Sequence, residues 1–257
     1  MGMLDKRHYS DERRIIAHQV SKARRSERLN NEDSYGIDRT GKEYLYRIGG
    51  LENLFRYIGQ LSLHKVLDVG VGNGNASHVI SKMPISRGID LEVTALRNTR
   101  ELRQHFTPDK IHLTSIETLR GIPDKSLAAV IGQNSIAYSD KPLLAVKRLN
   151  QVLIPGGVVK ATFNSLGEEE EHNGVILKDP TKFEDGFSVL GYDVACIDNF
   201  SWTTRGLRLY NSILLAIKPG NNSAPSANEL LNSDLEAIKS QATDTLLGYP
   251  VFDIDEE

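Results

Sequence analysis

Hydrophobic positions follow three successive patterns along the chain. Between Tyr44 and Leu63, the residues Leu45, Ile48, Leu51, Leu54, Phe55, Ile58 and Leu61 recur at helical spacing, which predicts an amphipathic helix packed on whatever follows. From Lys65 onward, short apolar runs at Lys65–Val69, Arg87–Asp90, Ile111–Thr114, Leu127–Gly132 and Val158–Phe163 alternate with amphipathic segments at Asn75–Met83, Thr94–Phe106 and Lys141–Leu153. That alternation predicts parallel strands joined by crossover helices, an α/β architecture. The helix over Lys141–Leu153 stops at Pro155-Gly156-Gly157, a strong turn signal. Another helix is expected at Thr181–Leu190, then two strands, Asp193–Phe200 and Leu209–Lys218, with no helix between them. Adjacent strands joined that way form a hairpin, so one strand at the end of the sheet should run antiparallel.

The ends read differently from the middle. Residues 1–43 are polar and Arg-rich, with a thin apolar stripe of Ile15, Ile16, Val20 and Ala23 in a possible helix over Asp11–Leu29. Pro219–Pro225 reads as a linker, followed by an acidic helix over Ala227–Leu247 and an acidic tip. The expected organisation is therefore an N-terminal segment or helical lid (1–43), a main domain (44–218) and a C-terminal linker with acidic helix and tail (219–257).

Charge sharpens this division. The 257 residues carry a net charge of −3, which gives no reason to expect nucleic-acid binding. Residues 1–60 hold 12 Lys+Arg against 9 Asp+Glu, whereas residues 219–257 hold one Lys against 8 acids. Acids at Asp11, Glu12 and Glu27 nearly cancel the N-terminal arginines, so a solvated helix is favoured there over an RNA-binding arm. The single cysteine, Cys196, excludes an internal disulfide and a cysteine metal cluster, and is expected to fill core space. No run approaches the length of a membrane span, and the N-terminus lacks an apolar signal region, so the expected location is cytoplasmic.

Chemistry enters at Val66-Leu-Asp-Val-Gly-Val-Gly-Asn-Gly74, a strand running into three alternating glycines and then a helix. Glycines there let the backbone turn tightly and approach a ligand without Cβ interference. Asp90, about 20 residues beyond Gly70, is expected to end the second strand, where a carboxylate can bond a ribose diol. The glycine spacing differs from the G-x-G-x-x-G of dinucleotide enzymes, and Asp68 disfavours a polyphosphate while suiting an ammonium-bearing ligand.

At these residues the chain resembles the class I S-adenosylmethionine-dependent methyltransferases, whose first motif is [Asp/Glu]-x-Gly-x-Gly-x-Gly. The stretches Ile122-Pro-Asp-Lys-Ser-Leu127 and Leu149-Asn-Gln-Val-Leu-Ile-Pro-Gly-Gly157 resemble that family's leads into strands four and five, in the expected order. The small-molecule branch, type 11 or ubiquinone-biosynthesis-like, is the closest match. The resemblance implies a Rossmann-like sheet of seven mostly parallel strands with helices on both faces. It further implies S-adenosyl-L-methionine as cofactor, S-adenosyl-L-homocysteine as product and a small-molecule methyl acceptor.

By the same resemblance, Gly70, Gly72 and Gly74 line the methionine part of the cofactor, Asp68 holds the loop or the ammonium group, Asp90 accepts from both ribose hydroxyls and Leu91 packs on the adenine. On this basis Asp90→Ala should weaken cofactor binding roughly 10- to 150-fold. Three departures stand out. Ser115, followed by Ile116, occupies the place where many relatives hold the adenine amino group with Asp. Ala128 or Ala129 replaces an early acid of strand four. The strand-four exit reads Gly132-Gln-Asn-Ser-Ile-Ala-Tyr138, without the family's frequent His pair, leaving Gln133 to face the sulfonium end and Tyr138 to shape the substrate mouth.

Methyl transfer needs alignment more than it needs acid–base groups, so the absence of a catalytic dyad does not argue against an enzyme. Glu168–Glu171 with His172 forms an acidic run expected at the ligand edge and favoured as a solvated loop. Tyr35, Tyr44 and Tyr46 are candidates for lining a lid. Protein or RNA methylation, a non-catalytic cofactor-binding subunit and a homodimer all stay open. A functional reading of the acidic run would make it an acidic lip for a cationic substrate with His172 as a base; no metal-ligating residues are expected.

Overall fold

The computed structural model describes residues 51–82, 86–133, 135–136, 139–166, 180–204, 207–221 and 223–233. Helix α1 (Leu51–Ile58) precedes β1 (Lys65–Asp68), α2 (Asn75–Lys82), β2 (Asp90–Ala95), α3 (Arg100–His105) and β3 (Ile111–Leu113). Then follow β4 (Leu127–Gln133), α4 (Pro142–Val152), β5 (Leu153–Leu166), α5 (Thr181–Val189), β6 (Asp193–Thr204) and β7 (Leu207–Ile217). The seven strands form one sheet in the order β3-β2-β1-β4-β5-β7-β6. The β1–β2, β1–β4, β2–β3 and β4–β5 pairs are parallel, and β7 runs antiparallel between β5 and β6. The expected α/β sheet with a C-terminal hairpin is the observed one.

The central strands are apolar on both faces because each face carries its own core. On one side, α1, α2 and α3 contribute Leu54, Ile58, Ile80 and Leu102 to a core with Val66, Val93 and Ile131. On the other, α4 and α5 bring Val146, Leu149, Phe183 and Phe187 against Leu67, Val130 and Leu214, and Cys196 packs against this second core. No crossover helix joins β3 to β4 in the described chain. Leu119 and Ile122 anchor the connection in the second core.

Several boundaries move. The helix expected from Thr94 starts at Arg100, where the Thr99 hydroxyl accepts the Leu102 N–H. Pro155-Gly156-Gly157 lies inside β5 as an irregularity in its pairing with β4, and Gly156 has φ +76°. The Pro219–Pro225 stretch is packed down: Tyr57 Oη donates to the Gly156 carbonyl at 2.8 Å and receives Asn221 Nδ2 at 3.3 Å. Helix α6 (227–233) carries a reciprocal Ser226–Glu229 capping box, and its Ala227, Leu230 and Leu231 enter the first core. The linker reading therefore gives way to a segment that belongs to the domain as far as residue 233. The N-terminal helix and lid tyrosines, the acidic run at 168–172, Tyr138 and the remainder of the acidic C-terminal helix lie outside the described residues.

Candidate active site

The glycine loop occupies the carboxyl edge of β1, where ligands bind in open α/β sheets. Its three glycines do different work. Gly70 has φ +68°, and a Cβ there would lie 2.5 Å from the Ser135 Cβ at the β4 exit. Its N–H donates to the Thr94 hydroxyl at 3.0 Å, while Val71 N–H donates to the Thr94 carbonyl at 3.0 Å. One residue of β2 thus holds the start of the loop from both its side chain and its backbone. Gly74, φ +78°, sits 2.6 Å from the Leu102 Cδ1 when given a Cβ, so it lets α3 close on the loop. Gly72, φ +58°, has nothing within 4 Å. Gly72 and Asn73 are both exposed. Gly72 is therefore the glycine whose backbone the fold leaves uncovered.

Asp68 is 3% exposed, and its Oδ2 accepts from Ser77 Oγ at 2.7 Å in the first turn of α2. Burial pushes its carboxyl up to about 7, against the lowering effect of the Ser77 hydrogen bond. The side chain therefore joins β1 to the helix behind the loop.

Asp90 is placed differently from the sequence expectation. It opens β2 rather than closing it, pairing with Lys65, the first residue of β1, while Val93 pairs with Asp68. Gly70 lies five residues further along, roughly 16 Å at 3.3 Å per residue. The Asp90 carboxylate is engaged at the opposite edge, by Lys110 and by Lys65 at 3.8 Å. Next to them, Glu92 bonds Lys65 at 2.7 Å and His112 at 2.8 Å. The reason is local: Ser86–Gly88 makes a turn, with Gly88 at φ +86° and Ile89 N–H donating to the Ser86 carbonyl, so the strand begins only after Ile89. The alternating Asp90-Leu-Glu-Val-Thr-Ala95 then forms the strand, and Leu91 is buried in the first core rather than offered to an adenine. The structure does not bring Asp90 or Leu91 to the loop.

In their place the edge carries Leu96, just past β2 and 80% exposed, and Leu113, the last residue of β3 and 56% exposed. Ala95 and Leu113 are register partners, so both leucines lie at the carboxyl edge of the sheet. Sequence reasoning missed them because apolar residues at a strand end read as core. Ser115 and Ile116 follow β3 after one intervening residue, Thr114, with Ile116 partly buried against the second core. Gln133 is the last residue of β4 and pairs with Thr162. Beyond that level β5 runs on to Leu166, paired to β7 as far as Leu209, so the antiparallel strands project past the edge by four residues, roughly 13 Å.

These residues fit an adenosyl amino-acid cofactor: bare backbone at Gly72 for its polar end, exposed Leu96 and Leu113 for a flat apolar base, and Ser115 as a hydrogen-bonding group. No group of three or more His, Cys, Asp or Glu is placed to hold a metal ion among the described residues.

Residues 67–160 match a family model described as a methyltransferase domain. The match runs from within β1 to within β5 and so includes the glycine loop. No curated protein matches the chain in sequence. Among solved structures, a possible histamine N-methyltransferase from Thermotoga maritima is similar at 14% identity and TM-score 0.46, over 73% of this chain and 99% of that one. The Haemonchus contortus phosphoethanolamine N-methyltransferase 2, bound to S-adenosyl-L-methionine, is 14% identical at TM-score 0.48, over 74% and 59% of the two chains. The cyclase SpnF is 15% identical at TM-score 0.47, over 66% and 80%.

Proposed function

We propose that this chain transfers a methyl group from S-adenosylmethionine to a small-molecule acceptor. The cofactor's amino-acid end lies over Gly72, its adenine lies against Leu96 and Leu113 beside Ser115 and Ile116, and its sulfonium end points toward Gln133. The observation that carries the reading is Gly72, exposed and with room for 4 Å around an added Cβ, whereas an added Cβ would run into Ser135 at Gly70 and into Leu102 at Gly74. The cofactor when bound supplies an electrophilic methyl group, and the protein's part is to hold donor and acceptor in line about 3–3.5 Å apart.

An acceptor on the β4–β5 side would meet the projecting β5–β7–β6 strands as a wall, which suits a compact ligand. The net charge of −3 and the single cysteine support a small-molecule acceptor and a cytoplasmic setting. No helix among the described residues is long and apolar enough to cross a membrane.

Calorimetric titration with S-adenosylmethionine, S-adenosylhomocysteine and NAD tests the reading. Micromolar binding of both adenosyl ligands and none of NAD is the expected result, and justifies a screen of acceptors with radiolabelled cofactor. Failure of both adenosyl ligands to bind overturns it.

A further inference from the structure

The connection between β3 and β4 does what a crossover helix does elsewhere in this sheet, and one side chain supplies much of its order. Arg148, on α4, reaches across to that connection. Its Nε donates to the Thr118 carbonyl at 3.0 Å, and its Nη2 donates to the Ile122 carbonyl at 2.6 Å and the Leu119 carbonyl at 3.4 Å. Its Nη1 donates to Asp124 Oδ1 at 2.6 Å and Gln151 Oε1 at 3.2 Å. A guanidinium directs five N–H donors in a fixed plane, which a lysine ammonium cannot reproduce.

The turn it grips is under strain. Leu119 is fully buried and has φ +39°, a conformation unfavourable for a leucine that persists only when the surroundings impose it. The carbonyls on both sides of that residue are held by Arg148. From within, Thr114 Oγ1 accepts the Arg120 N–H at 2.8 Å and pairs with the Thr118 hydroxyl at 2.9 Å. The turn starts at Ser115, whose carbonyl accepts the Leu119 N–H at 2.8 Å. Glu117 then receives the Ser139 hydroxyl at 2.6 Å, tying the same segment to the β4 exit.

We propose that Arg148 is a positioning residue for the cofactor. By clamping the carbonyls of Thr118, Leu119 and Ile122 it fixes Ser115 and Ile116 at the β3 end, where the base is bound. This rests on the cofactor placement proposed above. Arg148 acts only through the turn.

The test is titration of S-adenosylhomocysteine into wild type, Arg148→Lys and Asp124→Asn, with hydrogen exchange of the same proteins. Arg148→Lys is expected to weaken binding five- to twentyfold and to speed exchange within residues 115–122, leaving β5–β7 protection unchanged. Asp124→Asn, which removes only the outer carboxylate, should bind within twofold of wild type. Millimolar ethylguanidinium should restore part of the affinity of Arg148→Ala, which a general loss of stability would not allow. Equal binding by wild type and Arg148→Lys overturns the inference alone, and so does equal weakening by Asp124→Asn. Absence of binding by wild type overturns the cofactor reading, and this inference with it.

Discussion

The two halves of the sheet are built on different plans. On the β1–β2–β3 side the strands have four, six and three residues, and what matters lies in the turns between them. Gly70, Gly72 and Gly74 all take left-handed backbone; Thr94 holds the start of the loop by two hydrogen bonds, and Ser77 bonds Asp68 behind it. On the β5–β7–β6 side the strands have 14, 11 and 12 residues in antiparallel register, and their buried portions are apolar apart from Lys160. A long antiparallel ladder spreads its stabilisation over many pairs, so no single position there controls a ligand. The short half concentrates control in a few residues whose geometry tolerates little change. Stability and cofactor affinity should therefore separate between the halves when residues are substituted.

The largest effect on stability alone is expected from Leu214→Ala in β7. Leu214 is fully buried in the second core, so the change should cost about 2–5 kcal/mol by denaturant unfolding. S-adenosylhomocysteine affinity, measured well below the unfolding transition, should stay near wild type. A large affinity loss there would break the separation.

Next come two loop glycines that ought to behave differently. Gly70→Ala drives a methyl group onto Ser135 from a left-handed backbone, and should cost about 3 kcal/mol along with cofactor binding. Gly72→Ala meets no atom, so only the conformational cost of about 1 kcal/mol remains. Affinity should nonetheless fall tenfold or more, because the new methyl occupies the ligand's side of the loop. Thermal melts paired with calorimetry on both variants separate packing from ligand contact.

A smaller, pH-dependent effect is expected at Asp68. Burial raises its folded-state value to about 7, whereas the unfolded chain releases the proton near 4. Between those values the native state binds more protons than the unfolded state, so this group's contribution falls as pH rises and its full cost is present above about 7. Asp68→Asn keeps an acceptor for Ser77 and removes the charge. It should melt close to wild type at pH 3 and become progressively more stable than wild type as the pH is raised to 8. Equal melting differences at both pH values would contradict a buried, proton-holding carboxylate.

Asp90→Ala is expected to do least. Its ion pairs with Lys65 and Lys110 are partly exposed and lie at the edge away from the loop, so stability should drop by less than about 1 kcal/mol. Affinity for S-adenosylhomocysteine should stay within twofold. A drop of tenfold or more would restore the role that its sequence position suggested.

The legibility of the sequence follows the same division. The succession of strands and helices, the reversed hairpin and the glycine loop were readable because apolar alternation and turn residues are local signals. The loop's division of labour was not, since it depends on Ser135, Leu102 and Thr94, which are distant in sequence and meet Gly70 and Gly74 only in the folded chain. Asp90 was misplaced because an apolar Ile89 beside an acid looks like a strand end. A turn at Gly88 and partners at Lys65 and Lys110 shift the strand forward by several residues.

By itself, then, this sequence determined an α/β fold with a reversed C-terminal hairpin and a glycine loop after its first strand. Periodicity and glycine spacing act over a few residues and survive any arrangement of neighbours. Only the tertiary structure decided which glycine is left uncovered, which end of β2 lies beside the loop, and that an arginine on α4 holds the β3–β4 turn. Each of those outcomes depends on strand register and on contacts between residues far apart in the chain, which no local pattern encodes.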